Sequence, residues 1–395
     1  MGANEDRRGQ GKAEEPSAPV RPEREGRAWL FMPLAVAAVF LLGAVLGGLG
    51  YFEFTPPERT CVSCHEIRAS HARWSNSVHR AVSCKQCHGG SADSWHALRE
   101  NAKRVFRHVA DTRHDDIRLN EEQAVRMTRA CQQCHQREFA HWQGGGHGTN
   151  YARIFLDETH NRTEQMADDC LRCHGMFFEG TMADLAEPLD TRGPWRLKRP
   201  RLAGRPVIPC LACHELHAPG APFSRSLSDR EERAKKGESR RDTIGFYVRQ
   251  ERAHIAIDDL AVPRIVKDGK PVTVSSDPRQ RLCTQCHAPD AFGRAGSSDD
   301  RTPTGVHEGL SCAACHAPHS NDTRGSCAQC HPARSSCGLD VTAMDTTYRS
   351  RGSRHNIHRV ACQDCHPGGV PAKTVMHVTE NARTLRFEGF GFEEE

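Results

Sequence analysis

The longest apolar stretch of the chain runs from Trp29 to Phe52 and contains no charged residue. About 20 consecutive apolar residues span a bilayer, so this run predicts a transmembrane helix, which we place at residues 28–52. A cleaved signal peptide is the alternative, but it has a shorter apolar core and a small-residue cleavage site. Because the run is long and no clear Ala-x-Ala site follows it, we expect an uncleaved membrane anchor.

Six basic residues lie in the segment before this span, and the acidic residues there count for little in orienting a membrane segment. An excess of Lys and Arg marks the cytoplasmic side of a membrane segment, so we expect a cytoplasmic N-terminus, a single pass through a bacterial inner membrane and a periplasmic remainder. The head, residues 1–27, is short, charged and rich in Pro, Gly and Glu, which predicts disorder. The basic residues are Arg7, Arg8, Lys12, Arg21, Arg24 and Arg27.

After the span, hydrophobic periodicity is weak and the predicted elements are short. Helical spacing of apolar residues begins near Ser94, and a second helix is predicted from Asn120, an N-cap residue followed by two glutamates. Asp268-Gly269 lies between two Val/Ile-rich arms, which predicts a short β-hairpin near residues 262–274. The predicted fold class is therefore mainly α with much irregular structure.

Composition indicates that side chains alone would form a thin core. Only 37% of the residues are hydrophobic, and part of that fraction lies in the span, whereas 26% are charged. Large apolar cofactors would supply the missing buried surface. The net charge of +4 is mild and no nucleic-acid motif occurs, so we expect no nucleic-acid partner.

The motif Cys-x-x-Cys-His occurs nine times and uses 18 of the 19 cysteines. It is the attachment signal for c-type haem: the thiols bond to the macrocycle and the histidine binds its iron. We therefore expect nine covalently attached haem c groups. The cysteines are Cys61, Cys64, Cys84, Cys87, Cys131, Cys134, Cys170, Cys173, Cys210, Cys213, Cys283, Cys286, Cys312, Cys315, Cys327, Cys330, Cys362 and Cys365. The histidines are His65, His88, His135, His174, His214, His287, His316, His331 and His366.

Two other uses of Cys-x-x-Cys fit the chain less well. A structural zinc site needs four ligands and does not require His directly after the second Cys, yet all nine motifs have it. A thioredoxin-like motif would occur once, near a βαβ pattern. Cys337 stands outside the motifs, and a simple free thiol is its plainest interpretation, with an unusual ligand or crosslink as the alternative.

The spacing of the motifs predicts two groups. A gap of 73 residues between the motif starts at Cys210 and Cys283 separates five motifs from four. We predict a five-haem domain at residues 53–224, a charged linker and hairpin at 225–280, and a four-haem domain with a C-terminal tail at 281–395. The density of motifs in the last domain resembles small tetrahaem cytochromes.

Fifteen histidines outside the motifs could supply second iron ligands. His79, His307 and His358 each precede a motif by four or five residues. His217 and His319 each follow a motif histidine by three residues, so they cannot reach the far face of their own haem and would bind a neighbouring one.

Four further histidines are candidate ligands, namely His147, His160, His254 and His377. An iron with two imidazoles has no open position and suits electron transfer. Solvent-facing imidazoles are the alternative for these residues. Met176, two residues after a motif histidine, could bind iron or simply pack beside Phe177 and Phe178.

The N-terminal part resembles the membrane-anchored quinol-oxidising cytochromes of the NapC/NirT type. The likeness rests on one span, then Cys61-Val-Ser-Cys64-His65-Glu66, then Trp74 through His79 to Cys84-Lys-Gln-Cys87-His88. It covers roughly residues 28–175. Ile67 stands where that family often has Met, and the motifs from Cys210 onward are an addition to its pattern.

The resemblance implies electron transfer from the quinol pool through the haems to a periplasmic redox protein or reductase. One alternative is a multihaem enzyme that reduces or oxidises a small nitrogen or sulfur compound at an open haem, although the Cys-x-x-Cys-Lys motif of multihaem nitrite reductases is absent from the sequence. Another is a relay subunit that receives its electrons from a protein instead of a quinol.

Overall fold

The computed structural model describes residues 28–56, 61–88, 119–158, 165–190, 195–218, 243–288, 301–319 and 358–361, together with single positions between and after them. The chain divides into two units, Met1–Thr55 and Pro56–Glu395. About half of the described residues are helical, and the rest are turns, irregular segments and very short strands. The helix predicted from Ser94 lies mostly outside the described residues.

The first unit contains one long helix, α1 (Ala28–Phe54), with Pro33 close to its start. Its segment Phe31–Tyr51 has a mean hydropathy of 2.3 and none of it is buried within the protein. That length and composition fit either a membrane anchor or a signal sequence.

The helices of the second unit are short. They are α2 (His65–Ser75), α3 (Cys84–His88), α4 (Glu121–Gln132), α5 (Gln136–Gly144), α6 (Tyr151–Phe155), α7 (Leu171–His174), α8 (Met182–Leu185) and α9 (Pro278–His287). Single 3-10 turns lie at Gly146–Gly148, Asp168–Cys170, Pro200–Leu202, Cys210–Ala212 and Cys312–Ala314.

The described strands form four two-stranded pairs. Three are antiparallel: β1 (Ala186–Glu187) with β2 (Arg196–Leu197), β3 (Gly245–Val248) with β4 (Ala253–Ala256), and β5 (Ile265–Lys267) with β6 (Lys270–Val272). The fourth pair, β7 (Thr304–Gly305) with β8 (Arg359–Val360), is parallel.

The turn between β5 and β6 lies where the sequence predicts a hairpin. Asp268 and Gly269 have φ values of 51° and 74°. Two consecutive residues at positive φ are the signature of the type I′ turn, whose twist matches that of paired strands. Asp and Gly tolerate this conformation better than most other residues.

The N-terminus of α4 confirms the predicted cap at Asn120. Its side chain accepts a hydrogen bond from the Gln123 backbone N–H at 2.9 Å, and the Gln123 side chain accepts one from the Asn120 backbone N–H at 3.0 Å. This reciprocal pair satisfies two N–H groups that the helix itself cannot. The helix runs from there into the third motif.

Two clusters of buried apolar side chains support the second unit. One gathers around Tyr151, Leu171 and Leu185. The other includes Met176 and is centred on Phe177 and Tyr247, whose rings stack with centroids 4.0 Å apart. Three motif cysteines pack against this second cluster, namely Cys87, Cys213 and Cys286.

Candidate haem-binding sites

The first seven motifs lie wholly within the described residues. Of the cysteines and histidines in the last two motifs, only Cys330 is described. Cys327, His331, the ninth motif (Cys362, Cys365 and His366) and Cys337 are outside them. No described cysteine forms a disulfide. In the described ranges, no group of three or more His, Cys, Asp or Glu side chains is arranged to hold a metal ion.

In five places among the described residues, the ring of a motif histidine lies beside the ring of a histidine from outside the motifs. We call these the five ring pairs. They are His88 with His217 (centroids 5.6 Å apart), His135 with His79 (6.2 Å), His214 with His319 (5.9 Å), His287 with His147 (6.2 Å) and His316 with His358 (5.9 Å).

These separations fit one iron between each pair of rings. A metal–imidazole bond is about 2.0–2.1 Å long and a ring nitrogen lies roughly 1 Å from its centroid, so two imidazoles on opposite sides of one metal have centroids roughly 6 Å apart. Direct stacking of aromatic rings covers the same range, so distance alone does not define a site. What indicates a site is the composition of the pairs, because each pair joins one motif histidine to one histidine from outside the motifs.

A tight turn positions His79. The Ser77 hydroxyl is buried and donates to the Trp74 carbonyl at 2.8 Å, while it accepts from the His79 backbone N–H at 3.1 Å. The Val82 N–H then donates to the His79 carbonyl at 2.8 Å. The turn thereby directs the chain between α2 and the second motif so that His79 faces the histidine of the third motif.

The Gly146–Gly148 turn positions His147. Its N-terminal neighbour α5 is fixed by Trp142, whose indole N–H donates to the Ile208 carbonyl at 3.1 Å. A β-carbon on Gly148 would collide with the Trp142 carbonyl and the Gln143 backbone, so only glycine fits there without a shift. Gly146 has open space at the same point.

Backbone pairing positions two more of the second histidines, His358 and His217. The parallel pair β7–β8 brings His358 into place, with the Thr304 N–H donating to the His358 carbonyl at 2.8 Å. On the fifth motif, His214 forms an isolated bridge with Ile244, and the Glu215 N–H donates to the Thr243 carbonyl at 2.9 Å. This bridge anchors the turn that carries both His214 and His217.

Burial lowers the pKa of six of the ten imidazoles in the ring pairs, His217 among them, and so favours their neutral form. Burial, followed by the charges of neighbouring imidazoles, lowers the pKa of His147 and of His214 to about 4. Burial also lowers the pKa of His79, His316 and His319. A neutral imidazole is the form that binds a metal, so the burial of these rings prepares them as ligands.

Thiols from different motifs also contact one another. Cys131 donates a hydrogen bond to Cys210, which raises the pKa of Cys131 and lowers that of Cys210 to about 7. The Cys210 backbone N–H in turn donates to the Thr128 hydroxyl at 3.3 Å. The third and fifth motifs are therefore joined through α4.

Two further thiol contacts involve the sixth motif. Cys312 donates to Cys283, and Cys286 donates to Cys173, so this motif touches both the seventh and the fourth. Side chains on α9 reinforce the first contact: the Ser311 hydroxyl donates to Asp277 Oδ2 at 2.6 Å, and the Cys312 N–H donates to Gln280 Oε1 at 2.9 Å.

Some expected ligands are not placed by these pairs. His307 lies in the turn after β7, where the Leu310 N–H donates to its carbonyl at 3.1 Å, and its role as a ligand stays a prediction. For the irons expected at His65 and His174, the second ligands stay unassigned. His254 directs Nε2 at the Leu211 carbonyl, 2.6 Å away, and Met176 packs in the second apolar cluster.

Position in the sequence does not identify the motif that His79 or His358 serves. His79 precedes the second motif but faces the histidine of the third, and His358 precedes the ninth but faces that of the seventh. His217 and His319 face the histidines of the second and fifth motifs and not those of their own, and each lies in a turn and not in a helix.

Two segments match known families. Residues 130–188, which contain the third and fourth motifs, match the family of cytochrome c554 and c-prime. Residues 270–332, which contain the sixth to eighth motifs, match the family of cytochrome c7 and related cytochrome c. Searches of curated proteins and of solved structures find no significant match. The two matched families support multihaem cytochrome c electron-transfer domains, with covalently bound haem c, in this chain.

Proposed function

We propose that this protein is an inner-membrane-anchored, periplasmic nonahaem cytochrome that carries electrons from the quinol pool to a periplasmic redox partner. The observation that carries the proposal is the set of five ring pairs, each built from one motif histidine and one histidine from elsewhere. Ligation from both sides closes the iron to small substrates, which suits electron transfer. The apolar helix α1 and the basic residues before it support the anchor and its orientation.

Bound haem iron supplies the one-electron chemistry, and the protein supplies position and environment. Each ring pair would hold one iron through two neutral imidazoles, and the paired cysteines beside it would fix the macrocycle. The second apolar cluster packs against Cys87, Cys213 and Cys286 and so keeps three of these attachment points rigid.

The ring pairs adjoin one another along the chain. His214 and His217 lie three residues apart but belong to two different pairs, and the same is true of His316 and His319. The thiol contacts add the third, fourth and sixth motifs to this group. The second to seventh motifs are therefore linked into one set of near neighbours, as a conductor of electrons requires.

The decisive experiment is anaerobic reduction of the purified full-length protein in lipid vesicles by a soluble quinol analogue, followed by the haem absorbance. We expect reduction at a rate that falls sharply in a C61A/C64A variant, which loses the haem whose motif follows the apolar helix first in the sequence. Dithionite should still reduce the remaining haems of that variant. If quinol leaves the wild type oxidised while dithionite reduces it, quinol is not the donor and the relay alternative stands.

Electron paramagnetic resonance of the resting oxidised protein tests the enzyme alternative. Two imidazoles on every iron give low-spin signals only. A high-spin signal that changes when nitrite or hydroxylamine is added would reveal an open haem and would contradict a purely conducting role.

A further inference from the structure

The side chain of Arg172 is the most deeply buried charge among the described residues. It lies between the two cysteines of the fourth motif, at the start of α7, and only 4% of it is exposed. Burying a charge costs much free energy unless it is paired and hydrogen-bonded. Arg172 is therefore expected to have a strong partner.

The neighbours of Arg172 neutralise it only weakly. Its Nε lies 3.7 Å from Asp169 Oδ1, too far for a hydrogen bond, and its guanidinium carbon lies 5.9 Å from the centroid of the Phe246 ring. Nε and Nη1 have no hydrogen-bond partner in the described part of the chain. A positive charge with an incomplete set of hydrogen bonds thus lies in the protein interior.

This charge lies where two haem-attachment sites meet. Arg172 directly precedes Cys173, and Cys173 is hydrogen-bonded to Cys286 of the sixth motif. The guanidinium therefore lies within the fourth motif, one residue from its contact with the sixth.

We propose that Arg172 tunes the reduction potentials of the haems attached at the fourth and sixth motifs, raising both. Reduction adds one electron to each ferric iron and removes one unit of positive charge from the site. A fixed positive charge nearby favours that change, and it acts strongly because the low-dielectric interior screens it little. Net charge and burial are among the factors that set haem potentials. This proposal rests on haem attachment but not on quinol as the donor.

The test is a spectroelectrochemical titration of the full-length protein, in which the electrode supplies the electrons. In an R172Q variant, two of the centres should become harder to reduce by about tenfold, which is about 59 mV for a one-electron couple. An R172K variant keeps the charge and should stay near the wild type. The matched control is R196Q, which removes an exposed arginine bound to Glu187 and should leave the titration unchanged.

A second variant tests the same electrostatic effect on the potentials with a charge change of opposite sign. Asp169→Asn removes the carboxylate 3.7 Å from Arg172, so two centres should become easier to reduce. Intact mass must show full haem attachment in every variant. An unchanged titration in a fully loaded R172Q protein, or a D169N shift toward lower potential, would overturn the proposal. Because no quinol is used, failure of the quinol assay leaves this result intact.

Discussion

The rings of His316 and His358 lie nearly parallel, with planes 12° apart and centroids separated by 5.9 Å. His316 belongs to the seventh motif, whereas His358 lies four residues before the first cysteine of the ninth. The parallel pairing of β7 with β8 holds this arrangement. The haem of the seventh motif would therefore take its second ligand from the segment before the ninth.

Replacing His358 by Met should raise the potential of one centre, because a methionine ligand favours the reduced iron. The shift should vanish when the seventh haem is removed by C312A/C315A, and it should persist when the ninth is removed by C362A/C365A. Spectroelectrochemical titration of the three proteins measures this. The reverse pattern would assign His358 to the ninth motif.

A His217→Met substitution should likewise raise the potential of one centre, since His217 faces His88 at 5.6 Å. The haem count by intact mass should be unchanged, because the attachment cysteines are untouched. The matched control is H141Q, at an exposed histidine outside the five ring pairs. Equal effects of the two substitutions would show that the His217 shift is not due to ligation.

A Gly148→Ala substitution should disturb the haem bound between His147 and His287. The added β-carbon would overlap the backbone of Trp142 and Gln143, and overpacking of this kind costs about 1–3 kcal/mol. We expect a lower melting temperature by circular dichroism and an altered low-spin signal from one centre. Gly146→Ala, in the same turn but facing open space, should resemble the wild type. Similar behaviour of both variants would count against the steric argument.

Asp277 should make the stability of the sixth motif pH-dependent. Burial alone would raise its pKa, but hydrogen bonds from Arg279 and Ser311 outweigh burial and hold the pKa below its ordinary value. A lowered folded-state pKa stabilises the protein above the unfolded value of about 3.9, and this contribution is lost as the pH falls further. The melting-temperature difference between wild type and D277N should therefore be full at pH 7 and shrink below about pH 4.

The D277A variant separates the charge of Asp277 from its role as helix cap. Asp277 accepts from the Arg279 N–H at 2.9 Å at the start of α9, and loss of such a cap costs about 0.5–2 kcal/mol. Because Asn can still cap, D277A should be less stable than D277N at every pH. Equal stability of the two variants would mean that the cap contributes nothing.

Local chemistry made several features predictable from the sequence. The cap at Asn120 depends on residues within one helical turn, and the turn at Asp268-Gly269 depends on two residues that tolerate positive φ. The covalent part of each haem site is equally local, since five consecutive residues contain both thiols and one ligand.

Contacts between distant segments were beyond prediction. The pairing of His79 with the third motif depends on the turn at Ser77. The pairing of His358 with the seventh depends on a two-residue parallel strand pair that no hydrophobic pattern predicts. The burial of Arg172 could not be predicted either. An arginine inside a motif is indistinguishable in sequence from an exposed surface charge, and its burial depends on tertiary packing beside Phe246.

Intact mass spectrometry of the full-length protein, purified from a host that matures c-type cytochromes, tests the central claim most directly. The account predicts the mass of the whole chain plus nine covalently attached haems. A mass equal to that of the bare polypeptide would contradict haem attachment, and a chain cut after the apolar run would contradict the anchor.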